Sequence, residues 1–336
     1  VGDAQADLKG ILVSFDCTEE IVNEAIEKNC NLIIGHHPIL FKSVKKLTGK
    51  NYVEKTIIKA IKNDIAIYAS HTNLDHAPQG VSQVLANKLG LKNTNVLDPF
   101  KESLKSLVFF VDKNNEEKVS DALFKAGAGN IGNYSACKFV GEGLGHFTPN
   151  EKSNPTIGSQ NIPEKVEESR VEMIYPEYLE KKIIQTLKNS HPYEEVAYFI
   201  TKLDNTWQDV GAGIIGELET EMALEEFLGM VKEKLSLKII RHTKNQKRKI
   251  KKVALCGGAG SFLIQRAKNA SADIYLTGDL KYHEFFDGEN QLILADIGHF
   301  ESEIYIKHAI HHYLSKKFSN FAVLNSELNT NPVHYF

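Results

Sequence analysis

The chain has 336 residues, of which 42% are hydrophobic and 25% charged, and a formal net charge of −3. That length exceeds the ~100–200 residues of one ordinary domain and calls for two units, or one unit carrying a large insertion. No run approaches the ~20 apolar residues of a membrane span, and the charge balance argues against a binder of nucleic acid whose basic surface dominates.

The cysteines Cys17, Cys30, Cys137 and Cys256 form no Cys-x-x-Cys pair. Free thiols in a reducing cytoplasm are therefore expected, not a zinc ribbon or a disulfide framework. The opening VGDAQADLKG lacks the basic start and apolar centre of a signal peptide. Because it begins with Val1, further N-terminal residues are expected.

Leu8 to Asp16 predicts a buried strand, followed by a helix over Thr18 to Lys28 with Thr18 at its N-cap. Asn31 to Gly35 predicts a second strand, ending in His36, His37 and Pro38. A helix over Tyr52 to Asn63 leads to a third strand, Ile65 to Ser70, which ends in His71-Thr72-Asn73-Leu74-Asp75. Ligand-type residues thus sit just beyond the carboxyl ends of strands, where open α/β sheets bind ligands.

The middle of the chain differs in character. Leu104 to Val111, a helix over Glu116 to Ala126, and Tyr134 to Val140 make one βαβ pattern; Arg170 to Tyr175, Glu177 to Asn189 and Glu195 to Lys202 make another. The Gly-, Pro- and Asn-rich stretch GEGLGHFTPNEKSNPTIG between them is expected to be loop. Tandem βαβ units suggest a ferredoxin-like insert. Its Tyr193, Glu194 and Glu195 form a turn or a binding patch.

Near the C-terminus the strand–helix–strand order returns. Ile250 to Cys256, a helix around Ser261 to Asn269, and Asp273 to Thr277 lead to Gly278, Asp279 and His283; Gln291 to Asp296 leads to Gly298-His299-Phe300-Glu301-Ser302-Glu303. This reads as a diverged internal repeat, so the expected plan is α/β: lobes 1–102 and 206–336 forming one dimetal core, interrupted by an α+β insert, 103–205. The turn Gly257 to Ser261 lacks a Walker lysine and reads more readily as a tight turn than as a phosphate cradle. Arg241 to Lys252 is the one concentrated basic stretch and is expected to be a solvated hairpin loop.

Adjacent histidines locked by a proline are a poor way to fill a core, since each ring must satisfy two nitrogens. Asp75 alone is equally a helix cap, and the His299/Glu303 pair alone is equally an exposed helix contact. Taken together, all five fall beyond strand ends in the two halves of one repeat. Three imidazoles and two carboxylates suit Zn²⁺, Mn²⁺ or Fe²⁺ better than Ca²⁺ or Mg²⁺. Five ligands exceed one closed zinc site, so two divalent metal ions per chain are expected, zinc foremost. They would lie ~3.5–4 Å apart, with Glu303 or Asp75 bridging. Such a pair makes bound water nucleophilic at neutral pH, which favours hydrolysis. His71, Asp279 and His283 are candidates for proton transfer or for orienting the ligands.

These residues resemble a known family, the GTP cyclohydrolase 1 type 2 homologues or NIF-three-like proteins. The most specific elements are Gly35-His36-His37-Pro38, His71 to Asp75, and Gly298 to Glu303. The resemblance implies a dinuclear centre on His36, His37, Asp75, His299 and Glu303, and a PII/CutA-like insert carrying Gly132-Asn133-Tyr134 and His191 to Glu195. It also implies a toroidal homohexamer and a GTP-like nucleotide or small-molecule ligand, with release of formate as the reaction the family name suggests. Family members begin with a segment leading into the region where this chain starts, at Val1-Gly2-Asp3. The rival expectation is a metal-dependent regulatory or scaffold protein whose insert binds an effector or partner without turnover.

Overall fold

The structure is a computed structural model that describes residues 1–101, 103–244 and 249–336. It divides into two compact units, one made of 1–98 with 210–336 and the other of 99–209. In the first segment, β1 (Ile11–Ser14), α1 (Glu19–Glu27), β2 (Leu32–Gly35), α2 (Tyr52–Lys62) and β3 (Ala66–Ala69) alternate. They are followed by the short α3 (Thr72–Asp75), α4 (Val81–Leu89) and β4 (Lys92–Phe100). Thr18 takes the extended N-cap position of α1 without a side-chain bond, whereas Asn51 caps α2 by accepting from the Glu54 amide.

The second unit contains β5 (Leu104–Asp112), α5 (Glu116–Ala126), β6 (Phe139–Phe147), β7 (Glu164–Pro176), α6 (Glu180–Ser190) and β8 (Tyr198–Leu203). Its antiparallel sheet runs β6-β7-β5-β8. Leu107, Phe109 and Val111 pack on one face of this sheet against Val119, Leu123, Ile183 and Leu187 of the two helices. The expected strand over Tyr134 to Val140 is displaced: β6 starts at Phe139 and takes in Gly141 to Phe147, which the sequence reading gave to a loop. Glycine weakens a strand on its own. Here every residue of β6 is paired with β7, from Phe139 opposite Glu172 to Phe147 opposite Glu164.

The chain then supplies β9 (Trp207–Met222), α7 (Leu224–Lys234), β10 (Arg241–His242), β11 (Ile250–Ala259), α8 (Ile264–Asn269), β12 (Ile274–Gly278), β13 (Ile293–Asp296), α9 (His299–Glu303), α10 (Ile306–Lys317) and β14 (Val323–Asn325). Of the basic stretch 241–252, residues 245–248 lie outside the described residues.

The first unit holds two sheets, ordered β14-β1-β2-β3 and β10-β13-β12-β11-β9-β4. The first is wholly parallel, and β11, β12 and β13 are parallel to one another. β1 and β12 are buried along their whole length, the pattern of a parallel strand covered on both faces. The two chain segments do not form separate lobes. β14, from the C-terminal segment, joins the N-terminal sheet beside β1, and β4, from the N-terminal segment, joins the C-terminal sheet beside β9. Among the described residues no helix is long and apolar enough to cross a membrane, and all four cysteines are free thiols.

Candidate metal centre

Parallel strands deliver their carboxyl ends to one edge of a sheet, and the polar residues that follow those ends converge in the first unit. Asp16 follows β1, His36 and His37 follow β2, and His71 and Asp75 follow β3. From the second sheet come Gly257 and Gly258 in β11, Asp279 after β12, and His299 and Glu303 on α9 after β13. Phe15, Val81 and Ile306 form a small apolar core here. The Phe15 ring lies 5.7 Å from the His36 ring at 18°, 4.6 Å from that of His37, and edge-on to Phe300 at 5.2 Å.

Glu303 Oε2 is the common point. It lies 3.0 Å from His299 Nε2, 3.2 Å from His37 Nε2 and 3.7 Å from His36 Nε2. Asp75 Oδ1 lies 3.4 Å from His36 Nε2, and the Nε2 atoms of His37 and His299 are 3.3 Å apart. Two clusters able to hold a metal ion share Glu303: His36 with Asp75, and His37 with His299. A third groups His71 with His36 and His37.

Each of the three imidazoles that face Glu303 is oriented by a partner on its other nitrogen. His36 Nδ1 lies 2.9 Å from the Ser70 carbonyl; a carbonyl can only accept, so Nδ1 carries the proton and Nε2 presents a lone pair. His37 Nδ1 is 2.7 Å from Asp16 Oδ1, and Asp16 is itself held by the Thr330 hydroxyl at 2.6 Å. His299 Nδ1 is 2.7 Å from Asp279 Oδ2. Backing of this kind fixes the tautomer and ring orientation of metal-ligating histidines.

The electrostatics call for positive charge at the shared carboxylate. Glu303 is 5% exposed, and although burial opposes its ionisation, the imidazoles of His299 and His37 beside it bring its pKa down to about 2. His37 is raised to about 9, its burial outweighed by Asp16 and Glu303; His299 is raised to about 9 chiefly by the Glu303 carboxylate beside it. Burial drives His36 down to about 4, leaving it neutral, and burial with the charge of Glu303 lifts Asp75 to about 7. His36 Nε2, Asp75 Oδ1 and Glu303 Oε2 are buried without a hydrogen-bond partner. An orphaned buried polar atom costs about 1–3 kcal/mol. Three of them aimed at one point, with imidazole and carboxylate chemistry, fit a divalent cation.

Glycine is required where the second sheet meets this point. Gly258 has φ +64°, and a Cβ there would collide with the Glu303 carboxylate. The amides of this turn are committed internally: Gly257 N donates to Ser82 Oγ, Gly258 N to Ser302 Oγ and Gly260 N to Thr277 Oγ1. The turn therefore positions Glu303, and its donors are not turned towards a phosphate.

The centre opens into a cavity of about 490 Å³, with Phe41 and Phe262 among its walls beside His71 and Thr72. The structure brings together His36, His37, Asp75, His299 and Glu303, with His71 on the cavity side and Asp279 behind His299. His283 is not part of the cluster. It follows the same strand as Asp279, but its ring packs with Tyr282 and Phe286 on the next turn. Asp16 and Thr330 were not anticipated. Asp16 carried the same signal as the histidines, a polar residue at a strand end, whereas nothing local distinguishes Thr330.

The sequence model of the Duf34/NIF3 family (NGG1p interacting factor 3) matches residues 1–332. The GTP cyclohydrolase 1 type 2 homolog of Bacillus subtilis is 41% identical over 339 residues, spanning 99% of this chain and 90% of that protein. A solved Bacillus cereus protein related to NIF3 superposes with a TM-score of 0.89 at 41% identity, covering 100% of this chain and 92% of that one. A solved Staphylococcus aureus protein matches with a TM-score of 0.77 at 32% identity, over 100% and 91% of the two chains.

Proposed function

Since the chain belongs to the Duf34/NIF3 family, we propose that it is a metal-dependent hydrolase with a dinuclear centre. One ion would be held by His36, Asp75 and Glu303 and the other by His37, His299 and Glu303, so that Glu303 would be the residue common to both. The observation that carries this reading is the orphaned Glu303 Oε2, one oxygen within 3.0–3.7 Å of three Nε2 atoms. Zinc is the expected ion, with manganese or iron as alternatives. When bound, such a pair supplies Lewis acidity and a nucleophilic water at neutral pH.

The chain's own residues supply the remainder. Ser70, Asp16 and Asp279 hold the three Nε2 lone pairs on target. Burial and the charge of His37 lower the pKa of His71, leaving it neutral at the cavity side of the centre and placed to accept a proton. Phe41 and Phe262 offer flat walls for a ring-shaped substrate. The name of the Bacillus subtilis relative points to a nucleotide or related heterocycle as substrate class.

We read 99–209 as an inserted ferredoxin-like domain, because its strands run second-third-first-fourth in space with both helices on one face. Assembly as a homohexamer and a cytoplasmic location complete the proposal. Metal analysis tests it first. About two transition-metal ions per chain are expected, falling in His37→Ala and Glu303→Ala; a protein that takes up no metal removes the centre. A hydrolase screen including GTP then divides enzyme from scaffold. No turnover by metal-loaded protein, with ligand variants keeping their biological effect, refutes catalysis.

A further inference from the structure

Unit 99–209 contains its own cavity, of about 840 Å³, on the sheet face opposite its helices. Phe109 and Val111 point into the core, so by strand alternation Phe110 and Asp112 point the other way, paired with Arg170 and Glu168. Phe110, Phe147, Glu168 and Tyr193 line the cavity. Gly145 leaves room for the floor: any Cβ there would strike the Glu168 carboxylate.

The outer wall is fastened in place. The Asn154 amide donates to Glu194 Oε1 at 2.8 Å and the Thr156 hydroxyl to the Pro192 carbonyl at 2.8 Å. His191 fixes the neighbouring segment through both nitrogens. Its Nε2 lies 2.9 Å from the Phe110 carbonyl, which can only accept, so its Nδ1 is free to accept from the Tyr193 amide at 3.2 Å.

Glu168 is the unusual group. Among the described residues it forms no ion pair with a lysine, arginine or histidine, and its polar neighbour is the Tyr193 hydroxyl. Burial and the charge of Asp112 raise its pKa despite that hydroxyl. A partly desolvated carboxylate without a cation is costly unless something donates to it. Glu194, Glu195, His146 and Lys152 also line the cavity, but none forms an ion pair with Glu168. Phenylalanine and tyrosine rings around an unpaired carboxylate favour a flat partner whose edge carries N–H donors.

We propose that this cavity is a small-molecule site separate from the metal centre. Its ligand is planar and presents adjacent N–H groups to Glu168 while its face lies on Phe110 and Phe147. An amidine, a guanidine and an aminoheterocycle share that chemistry.

The test is calorimetric titration of the intact chain with benzamidine, methylguanidine and guanosine. At least one is expected to bind once per chain. Affinity should fall at least tenfold in Glu168→Gln and stay unchanged in His37→Ala. Phe147→Leu, at a position 36% exposed and so tolerant of change, should weaken benzamidine and guanosine more than methylguanidine. Thermal melts establish that each variant is folded. The proposal is overturned if no probe binds with a Kd below about 1 mM, if Glu168→Gln binds as well as the parent, or if His37→Ala abolishes binding.

Discussion

Asp16→Asn separates the two halves of the proposed centre. Asp16 touches only one of the three imidazoles at Glu303, lying 2.7 Å from His37 Nδ1. The asparagine keeps the shape and can still accept a hydrogen bond, but it removes the charge that makes His37 a strong donor of electron density. Losing such a partner costs ~10–100-fold in metal affinity, or about 1.4–2.7 kcal/mol. That loss should fall on the ion shared by His37 and His299 and spare the ion on His36 and Asp75, whose imidazole is backed by the Ser70 carbonyl. Asp279→Asn should strike the same ion from its other side, through His299. Competition with a chromophoric chelator measures this directly. In either variant one ion per chain should leave at ~10–100-fold lower chelator concentration while the other titrates as in the parent. The double variant should again weaken one ion. Equal loss of both ions, or loss of different ions in the two variants, refutes the pairing of ligands.

Three other outcomes follow from the same geometry. His71→Ala should keep both ions yet lose ~10²–10⁴-fold in turnover if the residue accepts a proton; metal analysis beside single-turnover rates decides this, and loss of an ion would make His71 a ligand. Gly258→Ala places a Cβ against the Glu303 carboxylate at φ +64°; thermal melts should show a cost of ~2 kcal/mol or more together with reduced metal content. Glu24 is buried, yet bonds from Lys28, Ser326 and the Glu327 amide outweigh that burial and lower its pKa from 4.5. A depressed carboxylate stabilises the fold above its unfolded pKa and loses that contribution as pH falls through the folded value. Melting temperatures of Glu24→Gln and parent should therefore differ most near neutral pH and converge as pH falls below the ordinary glutamate range; a gap independent of pH rejects the assignment.

The strands that carry the proposed ligands were legible because they are short apolar runs ending in polar residues that no turn requires. β2 into His36 and His37, and β13 into His299, are of this kind. The sharing of Glu303 Oε2 was not legible, because the choice between Glu303 and Asp75 as bridge depends on distances across two sheets. β14 is three residues long and finds its partner more than 300 residues away, at β1. No local pattern encodes such a pairing. β6 was misplaced for the opposite reason: alternate glycines look like loop until a neighbouring strand supplies every pairing. His283 followed the strand-end rule and still fell outside, because the following turn points its ring towards Tyr282 and Phe286.

The exchange of β4 and β14 between the sheets has a consequence for the centre. His36, His37 and Asp75 follow strands of one sheet; His299 and Glu303 follow a strand of the other. Neither sheet alone holds a complete set of the proposed ligands, since each of the two triads takes at least one residue from each. The apolar core beneath them is small, with Phe15, Val81 and Ile306 fully buried and Phe300 against Phe15. Cations at Glu303 would therefore bind the two sheets to each other, in addition to the chain connections made by the exchanged strands β4 and β14. The strand exchange and the shared carboxylate are in this sense one arrangement: the residues that follow strands of the two sheets meet at Glu303.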